Sequence, residues 1–427
     1  MIRLALLKII SGSVLSQLIM LCALPFLTRL YTPEDFSILA FYVAALAPII
    51  VISSLRYDVA IPIPDNSNDS DELLKLSIII TSLMSLISLI VIIILMTHGT
   101  KLHVISSSLF VLPLGILFGG LFNIFQYYCI RNKEFGLISN VKVSQAIIAV
   151  IVQVVLALIF GAHAEFLIIG HSVFVGAGVI YLLVKKHQVH PELLVIYDNL
   201  KLLKTAKKYK DFPKYSTFDS LVNSLGTQLP IIIIGFLAGG SEIGFILLAM
   251  KLLGTPVSLI SGAVGQVFYS SAREHIQAGT LQSFSIKFLI PLLFASILMI
   301  LLFSSYSGLM IDLMLGSEWN RVAEIIELFV FWYAVQLVSS PFSMIMHIQG
   351  KQRQLLALTI FGFLARIIPL FLISYFNLDV EYVFALSIFS FFFYLLCFYV
   401  FMRTIDFDKK IIVLVCSVFL ILFQVYR

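Results

Sequence analysis

Lys251 and Arg366 carry the most chemistry in this sequence, because each lies deep inside a long apolar run. Lys251 is about nine residues into its run, and at about 1.5 Å per helical residue that is roughly 14 Å, close to the middle of a bilayer. A cation at that depth costs at least about 2.5 to 3.5 kcal/mol in a lipid-facing helix, so each is expected to face the protein interior or a wet cavity. The only carboxylates placed inside or at the edge of spans in the expected cavity region are Asp58 and Asp219, both nearer the cytoplasmic ends, where Arg56 and Lys214 compete for them. Two central cations without a central acid imply an electropositive cavity that attracts an anion; structural ion pairing is the alternative. Arg29 and Arg56, near opposite ends of the first two runs, extend the cationic path. Asn123, Gln126, Gln145 and Asn223 are the main intramembrane amides, with Gln17, Gln153, Gln228 and Gln266 beside them. Such groups join helices or bind hydroxyl-rich ligands.

Catalytic signatures are missing. There is no HExxH, no CxxC and no Walker-type GxxxxGK[ST], so the expectation is a protein that is not an enzyme, with no catalytic residue, metal site or cofactor. Gly176 and Gly178 mimic the start of a dinucleotide fingerprint but lie in an apolar span. His187 and His190 read as a solvated pair. Cys22, Cys129, Cys397 and Cys416 have no paired spacing and read as packing residues.

The elements that must position these groups are membrane helices. Hydrophobic residues make up 60% of the 427 and charged residues only 12%, against about 25% charged in average chains. Apolar runs repeatedly exceed the roughly 20 residues that cross a bilayer. Spans are expected at 8–30, 37–62, 74–97, 104–128, 139–160, 163–184, 215–238, 242–271, 284–304, 322–348, 355–376 and 380–402. The run 4–30 lacks a cleavage site and reads as a first span. A last run, 411–426, is just long enough for a thirteenth helix. The predicted organisation is an N-terminal six-helix lobe (1–184), a basic amphipathic linker (185–214), a C-terminal six-helix lobe (215–403) and an extra helix (404–427).

Lys201, Lys204, Lys207, Lys208, Lys210 and Lys214 crowd the linker, with apolar residues at helical spacing, as in a helix lying on a membrane surface. If the N-terminus is cytoplasmic, the opposite side holds only Arg29, Lys101, Arg321 and Arg427 of the 28 basic residues, and the positive-inside rule favours that orientation. The acidic connection at Asp65, Asp69, Asp71 and Glu72 dissents. PEDFSILAFY from Pro33 and GSEIGFILLA from Gly240 echo one another. Six helices per half make such a repeat parallel. Gly115 and Gly119, and Gly235, Gly239, Gly240 and Gly244, fit close helix packing.

Four segments, LTRLYTPEDFSILAFY (27–42), SLRYDVAIPIP (54–64), KKYKDFPKYST (207–217) and LGSEWN (315–320), resemble in order and spacing those of bacterial Wzx-type polysaccharide flippases of the multidrug/oligosaccharidyl-lipid/polysaccharide exporter superfamily. The resemblance runs through about residue 403. It implies an all-α polytopic protein of the inner membrane, with two pseudo-symmetric six-helix bundles around a central cavity. The implied substrate is an undecaprenyl-diphosphate-linked oligosaccharide moved to the periplasmic leaflet, with membrane lipid, a polysaccharide polymerase and a chain-length regulator as partners and no nucleic acid. A cation-coupled multidrug antiporter of the same superfamily is the alternative, and would be expected to hold cavity acids. A membrane glycosyltransferase would need a larger outer loop than 305–321.

Overall fold

The computed structural model describes residues 2–64, 66–97, 109–182 and 199–426, which form helices and short connections with no strand. Asp65, Lys101, His187, His190, Arg427 and linker residues 185–198 lie outside the described residues. Among the described residues twelve helices are long and apolar enough to cross a membrane: α1 (Ser11–Leu30), α2 (Pro33–Ile52), α3 (Ser67–Thr97), α4 (Leu112–Arg131), α5 (Phe135–Phe160), α6 (Ala164–Leu182), α7 (Phe212–Ala238), α8 (Glu242–Gln277), α9 (Leu281–Met314), α10 (Ser317–Ile348), α11 (Gln352–Tyr375) and α12 (Tyr382–Thr404). A shorter α13 (Lys409–Val425) follows. The protein is therefore a multi-pass membrane protein. It divides into two compact units, Met1–Gln228 and Leu229–Arg427.

In the first unit α5 packs on α1 and α6, α4 on α3 and α6, and α2 on α4 and α6. Gly115 and Gly119 let α4 approach closely: a side chain at Gly119 would meet Ile50 Cδ1 at 2.6 Å and Val175 Cγ1 at 2.8 Å. The expected second span, 37–62, is cut short at Ile52. Leu55 and Arg56 both adopt left-handed backbone angles, φ 49° and 61°, which cost a branched or bulky residue energy and end the helix. The short helical turn Tyr57–Ala60 follows. The carbonyls freed by this break are satisfied from outside: Ser70 Oγ donates to Ile61 O at 2.9 Å and Arg131 Nη1 to Pro64 O at 2.5 Å.

The lysine-rich helix, Asn199–Lys208, departs from the expected membrane-surface placement. Its apolar side is buried in the first unit, with Leu202 8% exposed, and Ala206, Tyr209 and Phe212 pack against a core of Tyr57, Ile61, Leu73, Leu74, Ile124 and Tyr128. Tyr57 donates to the Ala206 carbonyl at 3.2 Å, and Lys208 Nζ lies 2.5 Å from Asp69. The acidic connection that dissented from the charge rule thus faces lysine. The chain then enters α7 through a π-helical turn, Phe212–Ser216, that contains Pro213.

In the second unit α10 is central, packed by α8, α9 and α12, and almost all of its residues from Phe329 to Val338 are buried. Gly239 and Gly240 take positive φ, 69° and 60°, and a side chain on either would meet nothing within 4 Å. They are turn residues and not the close-packing pair expected from their spacing.

Candidate functional site

Arg366 occupies an aromatic box in the second unit. It is 6% exposed, its Nε donates to Ser390 Oγ at 3.1 Å, and its guanidinium lies 4.9 Å from the ring of Phe393, 5.6 Å from Tyr394 and 5.7 Å from Trp332. Three π-faces and a hydroxyl replace part of the water a buried cation loses. The box ties α11 to α12 and α10. Lys251, on α8, is half-buried and has neither an ion pair nor a hydrogen bond among the described residues. One helical turn on, Gly254 leaves room for Tyr333: a side chain at Gly254 would come within 3.1 Å of the Tyr333 hydroxyl. Tyr333 stacks on Trp332 at 4.7 Å, so a continuous aromatic path runs from the Lys251 helix to the Arg366 box.

The second unit also holds acids that reading the sequence missed. Arg321, at the start of α10, donates to Glu242 on α8 at 2.7 Å, to Glu324 at 2.6 Å and to Glu381 at the head of α12. One guanidinium thereby gathers the starts of three spans. A cavity of about 340 Å³ beside it is lined by Arg321, Glu324, Glu327 and Glu381 with Phe331 and Tyr426 among others. Glu327 sits two turns into α10 and accepts from Ser307 Oγ of α9 at 2.5 Å. Glu324 and Glu327 fall inside an expected span, 322–348, so the inventory that placed only Asp58 and Asp219 at span edges is corrected.

In the first unit the expected residues separate into groups. Half-buried Arg56 lies near Tyr127; half-buried Asn123 and Gln126 precede Tyr127 on α4. Asp58, 3% exposed, accepts from Ser54 Oγ at 2.7 Å. Arg29 is exposed at the far end of α1, and Asn223 is exposed on α7. Gln145 is 3% exposed on α5 and faces α6, apart from the Arg56 group. Lys142, one turn before it, was not singled out by the sequence. It is half-buried and donates to Ser13 Oγ of α1 at 3.3 Å.

A family model described as polysaccharide biosynthesis protein matches residues 26–324. The chain belongs to that family. No curated protein sequence matches it. Among solved structures it is similar to the lipid II flippase MurJ in an inward closed conformation (TM-score 0.72, 14% identity, 97% of this chain and 98% of that one). It is also similar to an inward-facing multidrug resistance MATE family transporter of the MOP superfamily (TM-score 0.66, 12% identity, 91% and 94%). A third similar structure is a MOP superfamily transporter from Pyrococcus furiosus described by the reverse polarity of its binding pocket (TM-score 0.58, 12% identity, 95% and 95%). At these identities the likeness is one of fold, that of two six-helix halves.

For this polysaccharide biosynthesis protein, the segments that carry the family resemblance have physical roles. In TPED, Thr32 and Asp35 form a reciprocal capping box, Asp35 Oδ2 accepting from Thr32 N at 3.0 Å and Asp35 N donating to Thr32 Oγ1 at 3.3 Å, with Pro33 opening α2. In LGSEWN, Gly316 has φ 102° and Trp319 is buried edge-on against Phe245 at 5.9 Å. Both segments shape helix entries. SLRYD places Arg56, and KKYKDFPKYST docks the linker helix.

Proposed function

We propose that this protein is a flippase that moves an undecaprenyl-diphosphate-linked oligosaccharide, an O-antigen or capsule repeat unit, from the cytoplasmic to the periplasmic leaflet by alternating access through a cationic cavity. The observation that carries this reading is the family match over residues 26–324; the fold shared with a lipid II flippase supports it. A diphosphate-linked glycan cannot cross hydrocarbon unaided, and an intramembrane cation without a partner is a suitable host for its phosphates. Lys251 is assigned that role. Arg366, held in its aromatic box, adds positive potential and keeps α11 in place. Arg56, Arg29, Asn123, Gln126 and Asn223 are assigned to the path of the headgroup. The bias of lysine and arginine supports a cytoplasmic N-terminus in the inner membrane, and a polymerase and chain-length regulator would act on the product.

A cation-coupled antiporter is the second reading, favoured by one observation: Glu327 provides an intramembrane carboxylate in an acidic cavity. The test is complementation of a cell lacking its own flippase. Lys251→Gln is expected to abolish surface polysaccharide at wild-type protein abundance, with lipid-linked units building up on the cytoplasmic face. Full restoration by Lys251→Gln overturns the assignment of that lysine. An antiporter would instead lower the accumulation of a cationic dye, and Glu327→Gln would remove that activity.

A further inference from the structure

Two glutamines on α5 meet α6 in the same way but meet different fates. Gln145 and Gln153 are eight residues apart and face Gly178 and Gly170, which are eight residues apart on the antiparallel α6. A side chain at Gly178 would approach Gln145 Nε2 to 2.9 Å, and one at Gly170 would approach Gln153 Nε2 to the same distance. Each glycine therefore makes room for an amide. Gln153 uses its amide to join the helices: Nε2 donates to the Leu167 carbonyl at 3.0 Å, leaving its Oε1 without a partner. Gln145 is equally buried, 3% against 2% exposed, yet its Nε2 has no partner. It borders a crevice of about 520 Å³ instead, within the usual range for ligand pockets of about 300 to 1,000 Å³.

The crevice wall is polar without being charged. Asn140, Ser144, Gln145 and Tyr181 supply amides and hydroxyls, and Leu137 and Ile148 an apolar side. Among the described residues neither a cation nor a carboxylate lines it, and the nearby Lys142 ammonium turns to Ser13 on α1. The backbone of α6 tightens there without breaking: Ala177 keeps right-handed helical angles, its N–H donates to the Val173 carbonyl at 3.1 Å, and Ile180 N donates to the Ala177 carbonyl at 3.1 Å. The opening lies on a face of α5 that presents Ile148, Ile151 and Val155, 49%, 53% and 42% exposed.

We propose that this crevice binds the sugar of a membrane lipid, an uncharged hydroxyl-rich headgroup whose hydroxyls pair with the Gln145 amide and its neighbours. Among the described lining residues phosphate finds no cation, and a bare acyl chain would leave the buried amide without a partner. The site is separate from the Lys251 assignment and does not depend on transport.

The test is equilibrium binding to full-length protein in lipid nanodiscs. The probes are a short-chain diacylglycerol carrying an uncharged trisaccharide and the same diacylglycerol without sugar. Gln145→Leu is expected to weaken binding of the sugar-bearing probe at least about tenfold, leave the sugar-free probe unchanged, and leave Tm unchanged or raised. Asn140→Leu, at an exposed position that does not threaten folding, is expected to weaken the same probe. Gln153→Leu is expected to lower Tm. Equal affinity of wild type and Gln145→Leu for the sugar-bearing probe, or an equal loss for both probes, overturns the proposal. So does a drop in Tm for Gln145→Leu matching that for Gln153→Leu, which would make the amide a structural, water-bridged group. Because the readout is binding, loss of flippase activity in cells with this binding intact would count against the proposed function alone.

Discussion

The two helix-entry turns that echo each other in sequence, at Thr32–Asp35 in the first unit and at Gly240–Glu242 in the second, use their acids differently. Asp35 stays local: it closes a capping box with Thr32 and satisfies backbone donors at the start of α2. Glu242 makes no such cap. Ser241 gives no side-chain cap, and Glu242 reaches Arg321 on α10 instead, with Glu324 and Glu381 on the same guanidinium. The first turn is stabilised by its own four residues. The second is stabilised by tertiary pairing among three helix ends, so the same short pattern encodes a cap in one place and a hub in the other.

This contrast can be broken most severely at Arg321. Arg321→Ala leaves three carboxylates facing one another without a counter-charge, and a loss of about 3 kcal/mol is expected, the low end for breaking a buried pair because the side chain is partly exposed. Thermal unfolding of the purified protein measures it, and Arg321→Lys should recover only part, since lysine cannot serve three carboxylates in one plane. Thr32→Ala removes one local cap and should cost about 1 kcal/mol. A loss at Thr32 equal to that at Arg321 would erase the distinction between local and tertiary turns.

The smallest effect is expected at Lys208, where the linker helix meets the acidic connection. Its ammonium is exposed and hydrogen-bonded to Asp69, which raises its pKa above the ordinary lysine value. Its contribution is therefore fully present below that ordinary value and is lost as pH rises through the raised one. Lys208→Gln should shift Tm slightly at low salt and not at all at 1 M salt, because exposed pairs are screened. A shift at low salt as large as that for Arg321→Ala would mean that the helix is held by this pair and not by its buried apolar face.

Much of the helix plan was legible, because crossing a bilayer demands local properties of a continuous run: length, hydrophobicity and breakers. The eighth, tenth and eleventh expected spans, for example, agree with α8, α10 and α11 to within a few residues at most ends. The second span failed for a local reason that hydropathy does not register, two successive left-handed residues, Leu55 and Arg56, within an apolar stretch. Glu324 and Glu327 show a different failure. They were visible in an expected span, but their use with Arg321 and Ser307 depends on helices distant in sequence.

The sequence by itself determined that this chain crosses a membrane many times, where most helices begin and end, and which residues bring charge or amides to depth. These follow from the free energy of moving each segment from water into hydrocarbon, a nearly additive property of neighbouring residues. Only the tertiary structure decided which polar groups are matched. Among the described residues it paired Gln153 with a backbone carbonyl but left Gln145 Nε2 buried without one, enclosed Arg366 in aromatic rings but left Lys251 without a partner, and folded the lysine-rich helix onto an acidic connection. A buried polar group is satisfied or not by what packs against it, and that partner is set by the register of one helix on another.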